Sequence, residues 1–309
     1  MTTTLDKDPA LAGPPAQAPK ISKAKATRLP GQRALVAQPS TWFVWAGIAF
    51  FFIILFGIIF GVLVDSFGKP WFSTWFPENF TTSWYTTAWE RFGLGQVIGV
   101  TLAVSLITVF VAVAIGVPAA YVLARKNFPG KKLLSLLFLL PIMIPPITYG
   151  IPLATVMYNV GLGRTLAAVI LVNLVPSVPF VIMTMTPFIE QINPSIENAA
   201  RMCGAGTKDL FLRILAPLLV PGMLAAAVLV LVRTVGMFEL TYLVSGPGSD
   251  TLVVAIYRAM TASGGGEARQ LVSSMGVVYT VTMMVILIVA LRFVNPTQLV
   301  AQVKDVSDD

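Results

Sequence analysis

The sequence predicts an all-α integral membrane protein with about six transmembrane helices, and three observations carry that reading. Hydrophobic residues make up 56% of 309 positions and charged residues 11%, with a mean hydropathy of +0.81. A water-soluble domain carries roughly 25% charged residues to wet its surface, so bilayer is the natural solvent here. Second, the apolar residues fall in runs long enough to cross about 30 Å of hydrocarbon at about 1.5 Å per residue. Third, Lys and Arg are sorted between alternate loops.

Residues 1–40 are rich in Pro, Ala, Thr and Lys and have no apolar period, so they are expected to form a disordered, basic cytoplasmic tail. Trp42 to Val64 is a run of 23 residues, longer than the roughly 7–15 of a signal peptide's apolar core, and is expected to be an uncleaved first span. Five further spans are expected at 96–124, 133–158, 165–188, 218–244 and 271–291. They are apolar all round and rich in Gly and Pro, which suits helices rather than barrel strands alternating over about ten residues. The organisation that follows is a tail at 1–40, a first span with an aromatic periplasmic loop at 41–95, a main membrane domain at 96–292 with a cytoplasmic loop at 189–217, and a cytoplasmic tail at 293–309.

Topology follows from the basic residues. Inside segments hold 15 of the 21 Lys and Arg, including Lys126, Lys131, Lys132, Arg201, Lys208 and Arg213, if the N-terminus is cytoplasmic. Outside segments hold five: Lys69, Arg91, Arg164, Arg258 and Arg269. Cytoplasmic loops carry the excess of Lys and Arg, so both termini are expected inside. The net charge of +7 is explained by this sorting and calls for no nucleic-acid partner. Between the first two spans, Trp71, Trp75, Trp84, Tyr85 and Trp89 are expected to lie along the outer membrane surface as interfacial anchors. The chain has no histidine and one cysteine, Cys203, which removes His/Cys zinc sites, Cys–His nucleophile pairs and intrachain disulfides. No metal or cofactor is expected, and the spans lack the clustered acids and bases of a membrane-embedded enzyme.

The most informative stretch runs from Ser195 to Pro217, a polar, helix-forming segment between two hydrophobic spans. Asn193-Pro194-Ser195 signals a helix start. Gly204 and Gly206 are expected to break that helix, a second short helix to run to Ala216, and Pro217 to open the next span. Helix, glycine bend and second helix make a shape able to dock into a groove on another protein.

This stretch resembles the EAA loop of permease subunits of binding-protein-dependent ABC importers: Glu-Ala-Ala, three residues, Gly, nine residues, then Ile-x-Leu-Pro. Here Ala199-Ala200 is followed after three residues by Gly204, and nine residues later by Ile214-Leu215-Ala216-Pro217. Asn198 stands where the motif has Glu, with Glu197 adjacent, and Ala216 replaces Leu. The segments from Gly116 to Arg125, Leu139 to Pro146 and Phe238 to Leu252 are similar to the same family, the last leaning toward its polyamine and ferric-iron branch, with sugar and other small-solute importers behind it. At Val253 that branch often has Pro.

The resemblance implies a multi-pass subunit of the bacterial inner membrane with defined partners: cytoplasmic ABC ATPase subunits, a second permease subunit (a copy or a sister), and a periplasmic substrate-binding protein. It implies alternating access, with Glu197, Asn198, Ala199, Ala200, Arg201, Gly204, Ile214 and Pro217 as the ATPase-coupling residues. On this reading Glu197 and Arg201 offer charges to the ATPase groove, and Gly204 permits a close approach and sharp bend. The printed sequence contains no G-x-x-x-x-G-K-[ST], so ATP hydrolysis would belong to a partner chain and this subunit would not be an enzyme.

Within the spans, Pro145, Pro146 and Pro179, with the charges Arg233 and Glu239, are candidates for the translocation path. Prolines kink membrane helices, which suits either a gated cavity or ordinary packing. Intramembrane charges face the protein interior or water. Arg233 and Glu239 lie about 240° apart if one helix holds both, so a shared face is not expected. Cys203 reads as a small residue packed at an interface. The rival reading is a channel or secondary transporter working without an ATPase; the spacing from Ala199 to Pro217 separates it from an importer subunit.

Overall fold

The computed structural model describes residues 39–71, 74, 76–262 and 266–293. Most of the expected N-terminal tail, the C-terminal tail from residue 294 onward, and Trp75 lie outside the described residues. The chain divides into two units, residues 1–56 and 57–309.

In the first unit the described residues begin α1 (Pro39–Phe67), apolar on every side, along which the rings of Phe51 and Phe56 flank Phe52 at centroid distances of 5.7 and 6.0 Å. In the second unit, after the end of α1, come α2 (Ser83–Phe92), α3 (Leu94–Arg125), α4 (Lys131–Met143), α5 (Pro146–Asn159) and α6 (Leu166–Glu190). They are followed by α7 (Pro194–Met202), α8 (Thr207–Asp209), α9 (Ala216–Val235), α10 (Glu239–Val244), α11 (Leu252–Met260) and α12 (Arg269–Phe293). Among the described residues five helices are long and apolar enough to span a membrane, or six if the bent α4–α5 pair is one span. The all-α class and span number expected from sequence therefore hold.

The core is built by α3, α6 and α9. Ala112, Val117 and Ala120 of α3, Val181, Ile182 and Met185 of α6, and Leu219, Ala226 and Val230 of α9 form one buried cluster. In lipid the drive to associate comes from close packing rather than from water, and small residues let backbones approach. Gly116 shows this: a Cβ there would sit 2.7 Å from Cγ1 of Val181, so any larger residue would push α3 off α6.

Two expected spans differ in detail. The third is not one helix but α4 and α5, bent by 96°. Ile144 precedes Pro145, which precedes Pro146, and a proline drives the residue before it out of the helical region. Both are extended accordingly, Ile144 at ψ 135° and Pro145 at ψ 133°. The fifth span begins earlier and ends sooner than 218–244: Thr207–Val235 is continuous, and α10 is a separate element beyond Gly236. Pro217 therefore sits inside a helix rather than opening one. Leu210–Leu215 just before it is a π-helix, and the Ala216 amide donates to the Phe211 carbonyl. That wider turn makes room for a ring that would otherwise crowd the carbonyl four residues back.

At the end assigned to the periplasm, the aromatic loop is fastened to the bundle rather than only laid along a surface. Trp84 Nε1 donates to the Gly68 carbonyl (2.8 Å), Ser66 and Tyr85 share a hydrogen bond (2.7 Å), and Trp71 lies under the Arg269 guanidinium at 5.2 Å. Asp65, at the end of α1, pairs with Arg269 at 3.0 Å and accepts from Ser273 at 2.7 Å, both on α12. Trp89, by contrast, is exposed as an anchor would be.

Candidate functional site

The loop from Asn193 to Pro217 forms its own helix, α7, by ordinary capping chemistry. The Asn193 side chain accepts from the Ser195 amide at 2.9 Å and Pro194 occupies the first turn, where its missing N–H costs nothing. At the other end, the Ala205 amide donates to the Ala200 carbonyl and the Gly204 amide to the Arg201 carbonyl, both at 3.0 Å. With Gly204 at φ +85°, that is a Schellman stop, which closes the helix with a left-handed residue. The expected bend at Gly204 is present. Among the described residues a Cβ there would meet nothing within 4 Å, so within this chain it is the backbone angle that favours glycine. Gly206 adopts an ordinary extended conformation and starts the next helix.

Glu197 does not face outward as expected. It is buried, accepting from Tyr121 Oη at 2.7 Å through one carboxylate oxygen and pairing with Arg125 Nε at 2.7 Å through the other. Arg125 also donates to the Ile192 carbonyl at 2.6 Å, and the Tyr121 ring meets Phe211 edge-on with centroids 5.9 Å apart. One carboxylate thus pins α7 to the inner end of α3, and Arg201, one turn further along α7, lies near the same Tyr121 but stays exposed. Ala200 and Ile214 pack against the core, whereas Asn198, Ala199, Gly204 and Pro217 are exposed. Between them Met202 is 89% exposed, Ile196 is exposed, and Cys203 is exposed rather than packed within this chain. The result is a short helix held through Glu197, with Asn198, Ala199 and Met202 exposed among the described residues.

Tyr121 and Arg125 were not identified from sequence as site residues. Their signal was present: four apart, they share a helix face at the end of a span. What was missing was the partner, 72 residues away from Arg125.

Within the membrane, Arg233 lies over the Phe180 ring at 5.7 Å and is half-buried. Because α9 ends at Val235 and Glu239 opens α10, the 240° separation expected of one helix does not apply. The Tyr149 hydroxyl on α5 is buried and has no hydrogen-bond partner among the described residues. Pro145 is exposed at the α4–α5 break and Pro146 half-buried, while Pro179 is buried inside α6. Among the described residues no cluster of three or more His, Cys, Asp and Glu side chains could hold a metal ion.

The site is therefore a capped helix, α7, tied by a buried carboxylate to the end of α3 in a polytopic bundle. Residues 112–298 match the family model described as binding-protein-dependent transport system inner membrane component, and the chain belongs to that family. Three relatives are informative. The chain is 37% identical over 131 residues to the trehalose transport system permease protein SugB of Mycobacterium tuberculosis, covering 42% of this chain and 48% of that protein. It is 34% identical over 159 residues to the probable sulfate transport system permease protein cysT of Nephroselmis olivacea, covering 48% of this chain and 56% of the relative. It is 31% identical over 192 residues to the molybdenum transport system permease protein ModB of Escherichia coli, covering 56% and 84% respectively. The chain thus spans about half the length of the first two relatives. The fold is similar to that in the crystal structure of a bacterial ABC transporter involved in import of the acidic polysaccharide alginate (TM-score 0.67, 16% identity, 82% of this chain and 95% of that one). It is also similar to a methionine ABC transporter in an inward-facing conformation (TM-score 0.53, 20% identity, 64% and 93%). None of these names a polyamine or iron, so the lean toward that branch drawn from Phe238 to Leu252 finds no support and is withdrawn.

Proposed function

We propose that this chain is a permease subunit of an ABC importer, in which α7 is the element that a partner ATPase grips. The observation that carries this is the arrangement of α7: Glu197 locks it to α3 through Tyr121 and Arg125, while Asn198, Ala199 and Met202 are left exposed. A helix docked only for its own stability would turn its apolar residues inward; this one leaves Met202 and Ile196 uncovered. A push on α7 passes through a buried ion pair into α3, and from there along the close α3–α6 packing at Gly116. That is a rigid route from a cytoplasmic partner to the bundle. A second permease subunit and a periplasmic binding protein complete the assembly, and the cycle is alternating access. Arg233, near the end of α9, and Glu239, which opens α10, belong to that path on this reading. The names of the relatives support a small polar solute, selected chiefly by the binding protein.

The test is affinity purification of the tagged chain from native membranes in mild detergent, with Gly204→Arg alongside. Recovery of a Walker-type ATPase with the wild type and its loss with the variant is expected. A well-folded wild type that brings down no ATPase, even after cross-linking, would overturn the importer reading in favour of a channel or secondary transporter.

A further inference from the structure

We propose that the elbow between α3 and α4 is a binding site for the headgroup of an anionic phospholipid of the inner leaflet. Three lysines flank it: Lys126 follows the last residue of α3, and Lys131 and Lys132 open α4. Lys131 and Lys132, with Asn127, Phe128 and Gly130, line a cleft of about 350 Å³. None of the three lysines makes an ion pair among the described residues, and Glu197, which pairs with Arg125 next to Lys126 in the chain, is already taken by Tyr121 and Arg125. The first turn of α4 has no side-chain cap, so its amides add to the positive field.

A cluster of this kind would attract any phosphate, and the helix above it decides for a lipid. Lys132, Leu133, Leu136, Leu137, Leu140 and Met143 form one exposed stripe at helical spacing, while Leu134 and Phe138 on the other side pack into the core. Leu133 is 63% exposed and Met143 75%, yet both belong to an apolar segment that water does not solvate. One amphiphile satisfies both features: its phosphate sits in the lysine cleft and its acyl chain lies along the stripe. The elbow is on the side that the Lys/Arg distribution assigns to the cytoplasm, where a negative leaflet adds about 1 kcal/mol per basic residue near the surface. The site begins one residue beyond Arg125, so a bound lipid steadies the joint that holds Glu197.

The test is native mass spectrometry of the purified full chain offered phosphatidylglycerol and phosphatidylcholine at equal concentration. The wild type is expected to retain one phosphatidylglycerol preferentially. Each Lys→Gln change should lower that preference about fivefold, the equivalent of about 1 kcal/mol per charge, and the triple Lys126→Gln/Lys131→Gln/Lys132→Gln should abolish it. Lys69→Gln, on the outer side, should change nothing, and Lys→Arg at all three positions should keep binding. If the triple variant does not fold, the exposed single variant Lys132→Gln carries the test. Equal retention of the two lipids by the wild type, unchanged preference in Lys132→Gln, or displacement by millimolar inorganic phosphate would each overturn the proposal, the last in favour of a free-anion site.

Discussion

The two ends of the bundle use the same chemistry to opposite purposes. At the outer end, Asp65 with Arg269 and Arg91 with Glu267 tie the aromatic loop and α2 to α12 and its approach, and both arginine side chains stay open to solvent, at 62% and 60% exposure. At the inner end, the Arg125–Glu197 pair is 12% and 9% exposed and holds α7. Outer pairs close a cap over packed helices. The inner pair holds a helix whose Asn198, Ala199 and Met202 are exposed among the described residues. Burial makes the difference in energy, because an exposed pair is screened and solvated whereas removal of one partner from a buried pair strands a charge. The element proposed to transmit force is the one whose anchor is expensive to break.

The largest effect should therefore come from Glu197→Ala. Stranding Arg125 is expected to cost about 3 kcal/mol in a denaturant titration in detergent, and to uncouple ATP hydrolysis from uptake in reconstituted vesicles. The double variant with Arg125→Met should recover part of that stability. If the single variant unfolds at the wild-type midpoint, Glu197 is not the anchor.

Gly204→Val should come next. A β-branched residue at φ +85° strains the Schellman stop by roughly 1–2 kcal/mol, so α7 should fray, partner binding should weaken severalfold, and the rest of the bundle should melt as before. Gly204→Asn, which tolerates that backbone region better, should lose less on both measures. Equal loss for valine and asparagine would mean that room for the partner, not backbone angle, requires glycine there.

These two predictions also mark where sequence reasoning reached its limit. The fold class and span number follow from composition and run length, which lipid dictates directly. The helix start at Asn193 and the stop at Gly204 were legible because capping is local chemistry. The inward turn of Glu197 was not. Nothing in a motif says which side of a nine-residue helix faces its own protein, and the partners on α3 are fixed only by tertiary packing. The continuity of Thr207–Val235 was hidden for a similar reason, because Pro217 reads as a helix start until the π-helical turn before it is seen. The break at Gly236 was hidden too, and with it the separation of Arg233 and Glu239 onto different helices.

The smallest effect should be Arg91→Gln at the outer end. An exposed pair contributes about 0–1 kcal/mol and is screened by salt, so the melting midpoint should move by no more than a degree or two and uptake should persist. A loss comparable to that of Glu197→Ala would erase the contrast between the two ends.

The most direct test of the central claim uses the only cysteine in the chain. Cys203 is exposed at the end of α7, beside Met202 and Gly204. Its rate of modification by a maleimide should be measured for the purified chain alone and for the complex assembled with its ATPase. Rapid labelling of the free chain and strong protection in the complex is the predicted result. Equal labelling in both would contradict the account, because α7 would then stand clear of the partner it is held out to meet.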